Sequence, residues 1–270
     1  MNIDCKGKTV LITGAARGIG KTIANVFAEN GAAIIIADID RDSGIKTASE
    51  IRSTGYHCEY FQIDLNDPGQ IDNMITLLIH KYNHIDTLIN NARAGKRTSL
   101  TEESDENWNA TVNISLKAPL FLSRAFIDFV QKSDIDYSII NISSVSSTTV
   151  CNESASYHIA KAGLENLTRY LAVAGGAKGI RVNAIRPGFI IQDEHIDYFM
   201  SKENSGYRMM AEFCHPVQHI GRSVDIAHAA LFLSSRLAAF ITGEVLTVDG
   251  GLSIQDQWTL ISNFNNFKKS

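Results

Sequence analysis

The stretch that decides the fold is TVLITGAARGIG, residues 9–20 of the 270-residue chain. Its first five residues form a continuous apolar run rich in β-branched side chains, which predicts a strand that is buried on both faces. Gly14, Gly18 and Gly20 follow at once, and apolar residues at helical spacing begin behind them. A strand that ends in a glycine-rich turn and opens into a helix predicts a binding site for a phosphate group at the N-terminus of that helix.

Short apolar runs rich in Ile and Val recur along the chain and alternate with segments of helical spacing. The runs are AIIIA (33–37), YFQI (60–63), DTLIN (86–90), YSIINI (137–142), RVNAI (181–185) and VLTV (245–248). Such alternation predicts βαβ units, in which helices cover both faces of a parallel sheet. No proline-rich or serine-rich linker divides the chain, so we expect a single α/β domain over residues 1–253. Its predicted fold is a doubly wound parallel sheet (Rossmann fold) of about seven strands.

Two regions depart from this alternation. Residues 189–217 follow Pro187 and Gly188 and hold many aromatic residues and methionines among charged residues. A segment of that length between a strand and the next helix predicts a lid over a binding site. Residues 254–270 form a C-terminal tail with two asparagine pairs, for which disorder and packing on a neighbouring subunit are both open interpretations.

Composition and charge exclude several classes of function. The net charge of −4 argues against a nucleic-acid-binding protein, which would usually carry a basic excess on one face. The four cysteines lie far apart, without a C-x-x-C pair, so neither a disulfide framework nor a structural zinc site is expected. No run of about 18 apolar residues predicts a membrane span, and the N-terminus lacks the apolar segment of a signal peptide. We therefore expect a cytoplasmic protein with no metal, no nucleic-acid partner and no membrane partner.

The glycines and the end of the second strand together predict a dinucleotide site. Gly14 allows a tight turn, Gly18 lets the backbone approach a pyrophosphate, and Gly20 lets the helix and the strand pack closely. Asp38 ends the second apolar run, about 20 residues beyond the glycines, where an acidic residue accepts hydrogen bonds from the adenosine ribose. Its charge would repel a 2′-phosphate, so Asp38 favours NAD(H) over NADP(H). The structural alternatives are a simple strand–helix turn and an aspartate that caps the following turn.

Basic residues near Asp38 keep the second cofactor open. Arg17 lies within the glycine-rich turn, and Arg41 follows the second strand by three residues. Either guanidinium would tolerate a 2′-phosphate, because arginine binds phosphate groups well. NAD is therefore the predicted cofactor and NADP the alternative.

A tyrosine and a lysine four residues apart predict an acid–base pair. Tyr157 and Lys161 would share one face of a helix. A free phenol has a pKa of about 10, and a nearby ammonium group would lower the pKa towards neutrality. Ser144, at the end of the fifth strand, adds a hydroxyl at the edge of the sheet where ligands bind in such folds. The structural alternative is a chance Tyr-x-x-x-Lys on an exposed helix.

In combination these motifs resemble the single-domain short-chain dehydrogenases/reductases over about residues 7–253. The matching residues are TGAARGIG (13–20), Asp38, Asp64 with Leu65, Asn90-Asn91-Ala92, Asn113, Ser144, Tyr157 with Lys161, Asn183, Pro187 with Gly188, and TGEVLTVDGG (242–251). The resemblance implies hydride transfer between a substrate carbon and the nicotinamide C4. It also implies a homo-oligomer, either a tetramer or a dimer.

The resemblance assigns a role to individual residues. Tyr157 would be the general acid/base, Ser144 would hydrogen-bond the substrate oxygen, and Asn113 would hold a water in a proton relay. Lys161 would bind the nicotinamide ribose and lower the pKa of the tyrosine. The predicted cofactor-binding residues are Gly14, Arg17, Gly18, Ile19, Gly20, Asp38, Asp64, Leu65, Asn91, Ala92, Tyr157, Lys161, Pro187, Gly188 and Ile190.

The chain departs from the family pattern at two positions near the predicted site. In LINNARAGKR (88–97), Arg93 stands where the family usually has the glycine of Asn-Asn-Ala-Gly, and Lys96 and Arg97 follow. We interpret Arg93 as a residue that pairs with an anionic group of the substrate, with the cofactor pyrophosphate and bulk solvent as alternatives. Gln192 stands where related enzymes often carry a threonine that contacts the nicotinamide carboxamide. The predicted substrate residues are therefore Arg93, Ser144 and Gln192.

Three functions follow from these observations. The leading hypothesis is an NAD(H)-dependent oxidoreductase that acts on a secondary alcohol or ketone, an anionic one if Arg93 faces the substrate. A rival within the same family is an NADPH-dependent 3-oxoacyl-(carrier protein) reductase, whose carrier phosphate would explain the cations. A third hypothesis is a non-catalytic dinucleotide-binding protein, which the presence of Ser144, Tyr157 and Lys161 disfavours.

Overall fold

The computed structural model describes residues 3–130 and 136–267, in which strands and helices alternate. The strands are β1 (Thr9–Thr13), β2 (Ala33–Asp38), β3 (Cys58–Gln62), β4 (Thr87–Asn90), β5 (Tyr137–Ile142), β6 (Ile180–Pro187), β7 (Ile190–Ile191), β8 (Gly221–Arg222) and β9 (Val245–Val248). The α-helices are α1 (Gly18–Glu29), α2 (Arg41–Ser53), α3 (Pro68–Tyr82), α4 (Asp105–Val112), α5 (Ala118–Phe129), α6 (Ala155–Gly176), α7 (Ile196–Met200), α8 (Ser205–Phe213), α9 (Ser223–Leu233) and α10 (Gln257–Phe267). A π-helical turn, Asn113–Lys117, joins α4 to α5.

Seven strands form one parallel sheet in the order β3-β2-β1-β4-β5-β6-β9, and β7 and β8 form a separate two-stranded sheet. The fold predicted from the sequence is thus confirmed. The strand order reverses between β1 and β4. These two strands are direct neighbours, and Val10 of β1 pairs with Thr87 of β4. In open parallel sheets, ligands bind outside the carboxyl ends of the strands at such a switch point.

The continuous apolar runs of the sequence correspond to strands that are covered on both faces. In β2, Ile34 and Ile36 pack into the core on one side of the sheet, and Ile35 packs into the core on the other. All three side chains are almost fully buried. Successive side chains of a strand point to opposite faces, so a strand covered by helices on both sides needs apolar residues at every position.

The predicted lid, residues 189–217, contains β7, α7 and α8. Four of its rings form a cluster, because Phe189 lies 6.2–6.4 Å, centroid to centroid, from the rings of Phe199, Tyr207 and His215. The C-terminal helix α10 packs against this segment in the same chain, where the ring of Phe264 lies 5.1 Å from that of Phe213. Residues 1–2 and 131–135 of the predicted domain, and 268–270 of the predicted tail, lie outside the described residues.

Candidate active site

The glycine-rich turn lies at the carboxyl end of β1, at the switch point of the sheet. Gly14 has a φ of +65°, and a Cβ there would lie 2.7 Å from the Cα of Ala92. A Cβ on Gly20 would lie 2.4 Å from the carbonyl oxygen of Gly14. Side chains are therefore excluded where the turn meets β4 and where it enters α1. Ile19 is half-buried within the first turn of α1, whereas Arg17, just before the helix, is exposed.

Asn91 ties the end of β4 to the glycine-rich turn. Its Nδ2 donates hydrogen bonds to the carbonyl oxygens of Thr13 (3.0 Å) and Gly14 (2.8 Å). The hydroxyl of Thr13 in turn accepts hydrogen bonds from the backbone N–H groups of Asn91 and Ala92. Asn91 and Ala92 thus hold the two sides of the switch point together, and the contact of Asn91 with a cofactor ribose remains a prediction.

Asp38 ends β2 beside the same turn. Its Oδ2 accepts a hydrogen bond from the N–H of Ala16 (3.0 Å), and its Oδ1 accepts one from the N–H of Asp40 (3.0 Å). The carboxylate therefore both caps the turn that follows β2 and faces the glycine-rich turn. These contacts show the structural role of Asp38, and its contact with the adenosine ribose stays a prediction.

Two further predicted cofactor residues lie after β3. Leu65 is almost buried, with 9% of its surface exposed. The carboxylate of Asp64 accepts a hydrogen bond from the N–H of Asn66, and the N–H of Asp64 donates to the side chain of Gln70. Both residues follow the strand that neighbours β2, so they lie at the same carboxyl edge of the sheet as Asp38.

The chain after β6 returns to the glycine-rich turn. Pro187 is buried at the end of β6, and a Cβ on Gly188 would lie 2.5 Å from the Cβ of Asp249, so this corner is tightly packed. Ile190 is half-buried in β7. The side chain of Gln192 lies against Gly18, where an added Cβ would be 2.8 Å from the Gln192 Oε1. Gln192 therefore lies beside the predicted phosphate turn.

Two lid carboxylates contact the start of α1, which the sequence did not predict. The Oε1 of Glu194 accepts a hydrogen bond from the N–H of Gly18 (2.8 Å), and the Oδ2 of Asp193 accepts one from the hydroxyl of Thr22 (2.8 Å). The N-terminus of a helix attracts anions through its free N–H groups and its dipole. An anion therefore fits at Gly18, as the glycine-rich turn predicts, although here the anion belongs to the lid.

Tyr157 and Lys161 share one face of α6. The helix begins after Ser154, whose hydroxyl accepts a hydrogen bond from the N–H of Tyr157. Tyr157 and Lys161 are 9% and 3% exposed, and the Lys161 Nζ lies 5.6 Å from the centroid of the tyrosine ring. The same Nζ donates a hydrogen bond to the carbonyl oxygen of Ile142 at the end of β5 (2.7 Å). Helix spacing and the edge of the sheet together bring these groups to one place.

Ser144 and Arg93 complete this group. Burial raises the pKa of the Tyr157 phenol, while the charge of Arg93 and a hydrogen bond with Ser144 act in the opposite direction. Burial, followed by the charge of Arg93, lowers the pKa of Lys161 to about 7. Three of the four predicted catalytic residues, Ser144, Tyr157 and Lys161, therefore lie together, with one cation that the family pattern lacks.

In the basic loop, Arg93 lies beside the tyrosine, and both Arg93 and Arg97 lie beside Glu153. The guanidinium carbon of Arg93 lies 5.3 Å from the centroid of the Tyr157 ring. The Oε1 of Glu153 lies 3.9 Å from an Arg93 nitrogen and accepts a hydrogen bond from the Nε of Arg97 (2.8 Å). Lys96 bonds the side chain of Asn107 through its backbone N–H and carbonyl. Of the three cations, Arg93 is the one placed at the site.

Asn113 opens the π-helical turn between α4 and α5. Its carbonyl oxygen accepts a hydrogen bond from the N–H of Ala118, five residues on. The turn packs against α6, where a Cβ on Gly163 would lie 2.9 Å from a methyl carbon of Leu116. Single π-helical turns of this kind are frequent at functional sites.

A buried ion pair supports the segment that carries Ser144, and sequence reasoning missed it. Glu165 on α6 accepts hydrogen bonds from the hydroxyls of Ser143 (2.9 Å) and Ser147 and from the Nε (2.9 Å) and a terminal nitrogen (2.6 Å) of Arg186. The Ser147 oxygen also lies 2.7 Å from the carbonyl oxygen of Ser144, so the Glu165 carboxylate and this carbonyl share its single proton. We call Ser143, Ser147, Glu165 and Arg186 the serine support. In the sequence, the signal for this support is that two charged residues, Glu165 and Arg186, stand within a helix face and a strand that are buried.

A family model described as enoyl-(acyl carrier protein) reductase matches residues 14–253. This range includes the glycine-rich turn, Ser144, Tyr157 and Lys161. The chain belongs to the short-chain dehydrogenase/reductase family. It is therefore an oxidoreductase by family, as the resemblance implied.

Relatives and a solved structure place the chain within this family over nearly its whole length. An uncharacterized oxidoreductase of Schizosaccharomyces pombe is 37% identical over 265 residues, which cover 96% of this chain and 98% of that protein. The 3-oxoacyl-(acyl-carrier-protein) reductase of Thermotoga maritima is 31% identical and covers 92% of this chain and 99% of its own. A Beutenbergia cavernae structure with bound NADP, provisionally described as an NAD(P)-dependent gluconate 5-dehydrogenase, superposes with a TM-score of 0.82 at 28% identity, over 94% of this chain and 100% of its own.

Among the other groups in this short-chain dehydrogenase/reductase that could carry chemistry, the Sγ of Cys151 lies 3.8 Å from the Nε2 of His158. Within residues 3–130 and 136–267, no three His, Cys, Asp or Glu side chains are placed to hold a metal ion. All four cysteines are free thiols, two of them buried. No helix in that part of the chain is both long and apolar enough to cross a membrane.

Proposed function

We propose that this protein transfers a hydride between NAD(H) and a small secondary alcohol or ketone that carries an anionic group, with Tyr157 as the general acid/base. The observation that carries the proposal is the guanidinium of Arg93, 5.3 Å from the ring of Tyr157 and beside the buried Lys161. A cation at that point faces any substrate whose hydroxyl reaches the phenol oxygen.

The residues of the glycine-rich turn fit a dinucleotide. The N–H of Gly18 donates a hydrogen bond to a carboxylate oxygen of Glu194, so the same N–H would be able to bind a pyrophosphate oxygen, and Asp38 lies beside the same turn. When bound, the dinucleotide supplies the nicotinamide C4 that accepts or donates the hydride. Gln192 lies against Gly18 and would contact the cofactor.

In the oxidation direction, the phenolate of Tyr157 takes the proton of the substrate hydroxyl while the hydride leaves the carbon that carries this hydroxyl. Ser144 donates a hydrogen bond to the substrate oxygen and so holds it at the phenol. Lys161 holds the nicotinamide ribose and favours the phenolate, and Asn113 holds a water that passes the proton on. The aromatic cluster of the lid covers the bound substrate.

Arg93 is available to an anionic substrate because its side chain is 51% exposed. A guanidinium pairs with a carboxylate through two parallel hydrogen bonds. The description of the Beutenbergia cavernae structure names gluconate, which is a carboxylate with several secondary hydroxyls. We therefore infer that the substrate of this protein is a small hydroxy acid or the matching keto acid.

The kinetics of an Arg93→Gly variant test the substrate class. We expect KM for gluconate to rise by about tenfold or more, because a hydrogen bond to a charged group contributes about 1.5–3 kcal/mol. KM for the neutral polyol sorbitol should stay the same. Lys96→Gln, which removes a neighbouring cation, is the matched control. Equal KM values in wild type and Arg93→Gly would contradict an anionic substrate at this position.

We infer NAD(H) as the preferred cofactor from Asp38. A calorimetric titration of NAD(H) and NADP(H) tests this on wild type, Asp38→Ala and the control Asp42→Ala, whose exposed carboxylate lies in the first turn of α2. We expect wild type to prefer NAD(H) by about tenfold or more, since a like charge opposite the 2′-phosphate costs several kcal/mol. Only Asp38→Ala should lose this preference. A wild type that prefers NADP(H) would mean that Arg17 or Arg41 outweighs Asp38.

A second candidate is an NADPH-dependent 3-oxoacyl-(carrier protein) reductase, which the Thermotoga maritima relative supports by name. An NADP(H) preference in the calorimetric titration, with turnover of a 3-oxoacyl thioester, would favour it. A non-catalytic binding protein is the weakest candidate, because Ser144, Tyr157 and Lys161 are all retained together.

We also propose a homo-oligomer, a tetramer or a dimer, in the cytoplasm. Large apolar side chains are exposed on one chain, among them Tyr170 and Val173 of α6 and Phe240 before β9. Their exposed fractions of 69%, 84% and 104% support burial against further copies. Sedimentation of the purified protein at several concentrations would test the assembly.

A further inference from the structure

We propose that Arg93 is a positioning residue that stabilises the phenolate form of Tyr157 and orients its ring, in addition to binding the substrate. The proposal rests on the proposed function, in which Tyr157 exchanges the proton. It concerns the one position of the site where this chain carries a cation in place of the usual glycine of its family.

The loop that carries Arg93 is fixed against α4. Lys96 donates its N–H to the Oδ1 of Asn107 (2.7 Å) and accepts a hydrogen bond from the Nδ2 of the same residue (3.2 Å). Gly95 has a φ of +92° and packs directly on the side chain of Thr111. The guanidinium therefore extends from an anchored backbone towards the ring of Tyr157. Because the backbone of this loop is already fixed, little conformational entropy of the loop is lost when the guanidinium takes its place beside the phenol.

Charged and polar groups face Tyr157 from each neighbouring element. Lys161 lies 5.6 Å from the ring on α6, and Arg93 lies 5.3 Å away on the loop after β4. The hydroxyl of Ser144, in the segment after β5, acts to lower the pKa of the phenol. Glu153, in the segment before α6, opposes the phenolate. Glu153 pairs with both Arg93 and Arg97, so one negative charge meets two positive charges. A positive charge therefore remains beside the phenol.

Arg93 and Lys161 differ in how long they keep their charge. Lys161 is fully enclosed, and its pKa of about 7 leaves it partly neutral at neutral pH. A guanidinium stays charged throughout the range in which proteins are folded. Arg93 therefore stabilises the phenolate at alkaline pH, where Lys161 has lost its proton. Water around the half-exposed guanidinium screens this effect but does not abolish it.

The pKa of Tyr157 tests the proposal directly and needs no substrate. The full chain is labelled with ¹³Cζ-tyrosine and titrated by NMR, and Tyr157→Phe identifies the signal of Tyr157. We expect Arg93→Gly to raise the pKa of Tyr157 by about one unit, because the variant removes a charge that lies 5.3 Å from the centroid of the tyrosine ring in a partly hydrated site. Arg93→Gln, which keeps a long side chain, should raise it similarly. Lys96→Gln should leave it unchanged, and Glu153→Gln should lower it.

The outcomes separate this inference from the proposed reaction. A raised Tyr157 pKa in Arg93→Gly, with no such change in Lys96→Gln, supports the positioning role even if gluconate is not turned over. An unchanged Tyr157 pKa in both Arg93 variants overturns the role, even if KM for gluconate rises. Equal shifts in Arg93→Gly and Lys96→Gln also overturn it, because they would reflect the net charge of the protein and not a contact.

Discussion

The serine support and the lid are held in place in different ways. In the serine support, Glu165 and Arg186 are 5% and 18% exposed at the side chain and bond each other through two nitrogens. The lid contacts α1 through carboxylates at the surface, and the Asp193–Arg222 pair is 45% and 57% exposed. Breaking a buried pair leaves a charge without water, whereas an exposed charge is simply rehydrated. The comparison indicates a rigid support below the reacting groups and a lid whose contacts can be exchanged for those of a ligand.

The largest expected effect breaks the serine support. Glu165→Ala should lower the free energy of unfolding by about 3–5 kcal/mol, because Arg186 then loses its buried partner. Lys21→Ala, which removes a surface pair with Glu50, is the control and should cost less than about 1 kcal/mol. Urea unfolding of the three proteins measures both values. Similar losses of unfolding free energy in the two variants would mean that the ion pair of the serine support stabilises the fold no more than a surface pair does.

A second prediction concerns the buried lysine that lies beside the support. The pKa of Lys161 is about 7 in the folded protein, whereas a lysine in the unfolded chain has a pKa of about 10.4. Between these values the unfolded chain binds more protons, so the Lys161 contribution to stability rises with pH through this window. Lys161→Met should therefore exceed wild type in stability most at or below pH 7, and this excess should shrink by about 1 kcal/mol per pH unit above it.

Urea unfolding of wild type and Lys161→Met at several pH values measures this difference. Parallel stability curves for the two proteins would show that Lys161 keeps its proton in the folded state. The argument that Arg93 stabilises the phenolate where Lys161 is neutral would then fail, and the 5.3 Å distance between Arg93 and the ring of Tyr157 would be the remaining support for the role of Arg93.

The smallest expected effect sharpens the lid side of the comparison. Glu194→Gln should tighten NAD(H) binding by about two- to tenfold, because the lid carboxylate that competes for the start of α1 is worth about 0.3–1 kcal/mol or somewhat more. The control Asp197→Asn removes an exposed lid charge on α7 and should leave the affinity unchanged. Calorimetry measures both. Weaker binding by Glu194→Gln would show that Glu194 helps to hold the cofactor.

Local patterns in the sequence were sufficient for the fold and for the grouping of Ser144, Tyr157 and Lys161. Continuous apolar runs predict strands covered on both faces, and a spacing of four residues brings Tyr157 and Lys161 to one face of a helix because the helix has 3.6 residues per turn. The glycine-rich turn follows from steric limits that act between near neighbours. Such signals depend on short-range geometry, which one chain displays without any knowledge of its partners.

The contacts between side chains that lie far apart in the sequence were decided by the tertiary structure alone. Glu194 meets Gly18 across 176 residues, and Arg186 meets Glu165 across 21 residues through two different elements. The sequence showed that Arg93 needs a partner but left substrate, pyrophosphate and solvent open. The direction of the Arg93 side chain depends on how the loop after β4 is anchored on α4. It also depends on the positions of Tyr157 on α6 and of Glu153 in the segment before α6. Charges far apart in sequence become neighbours only when the packed elements bring them together, so no local pattern could identify their partners.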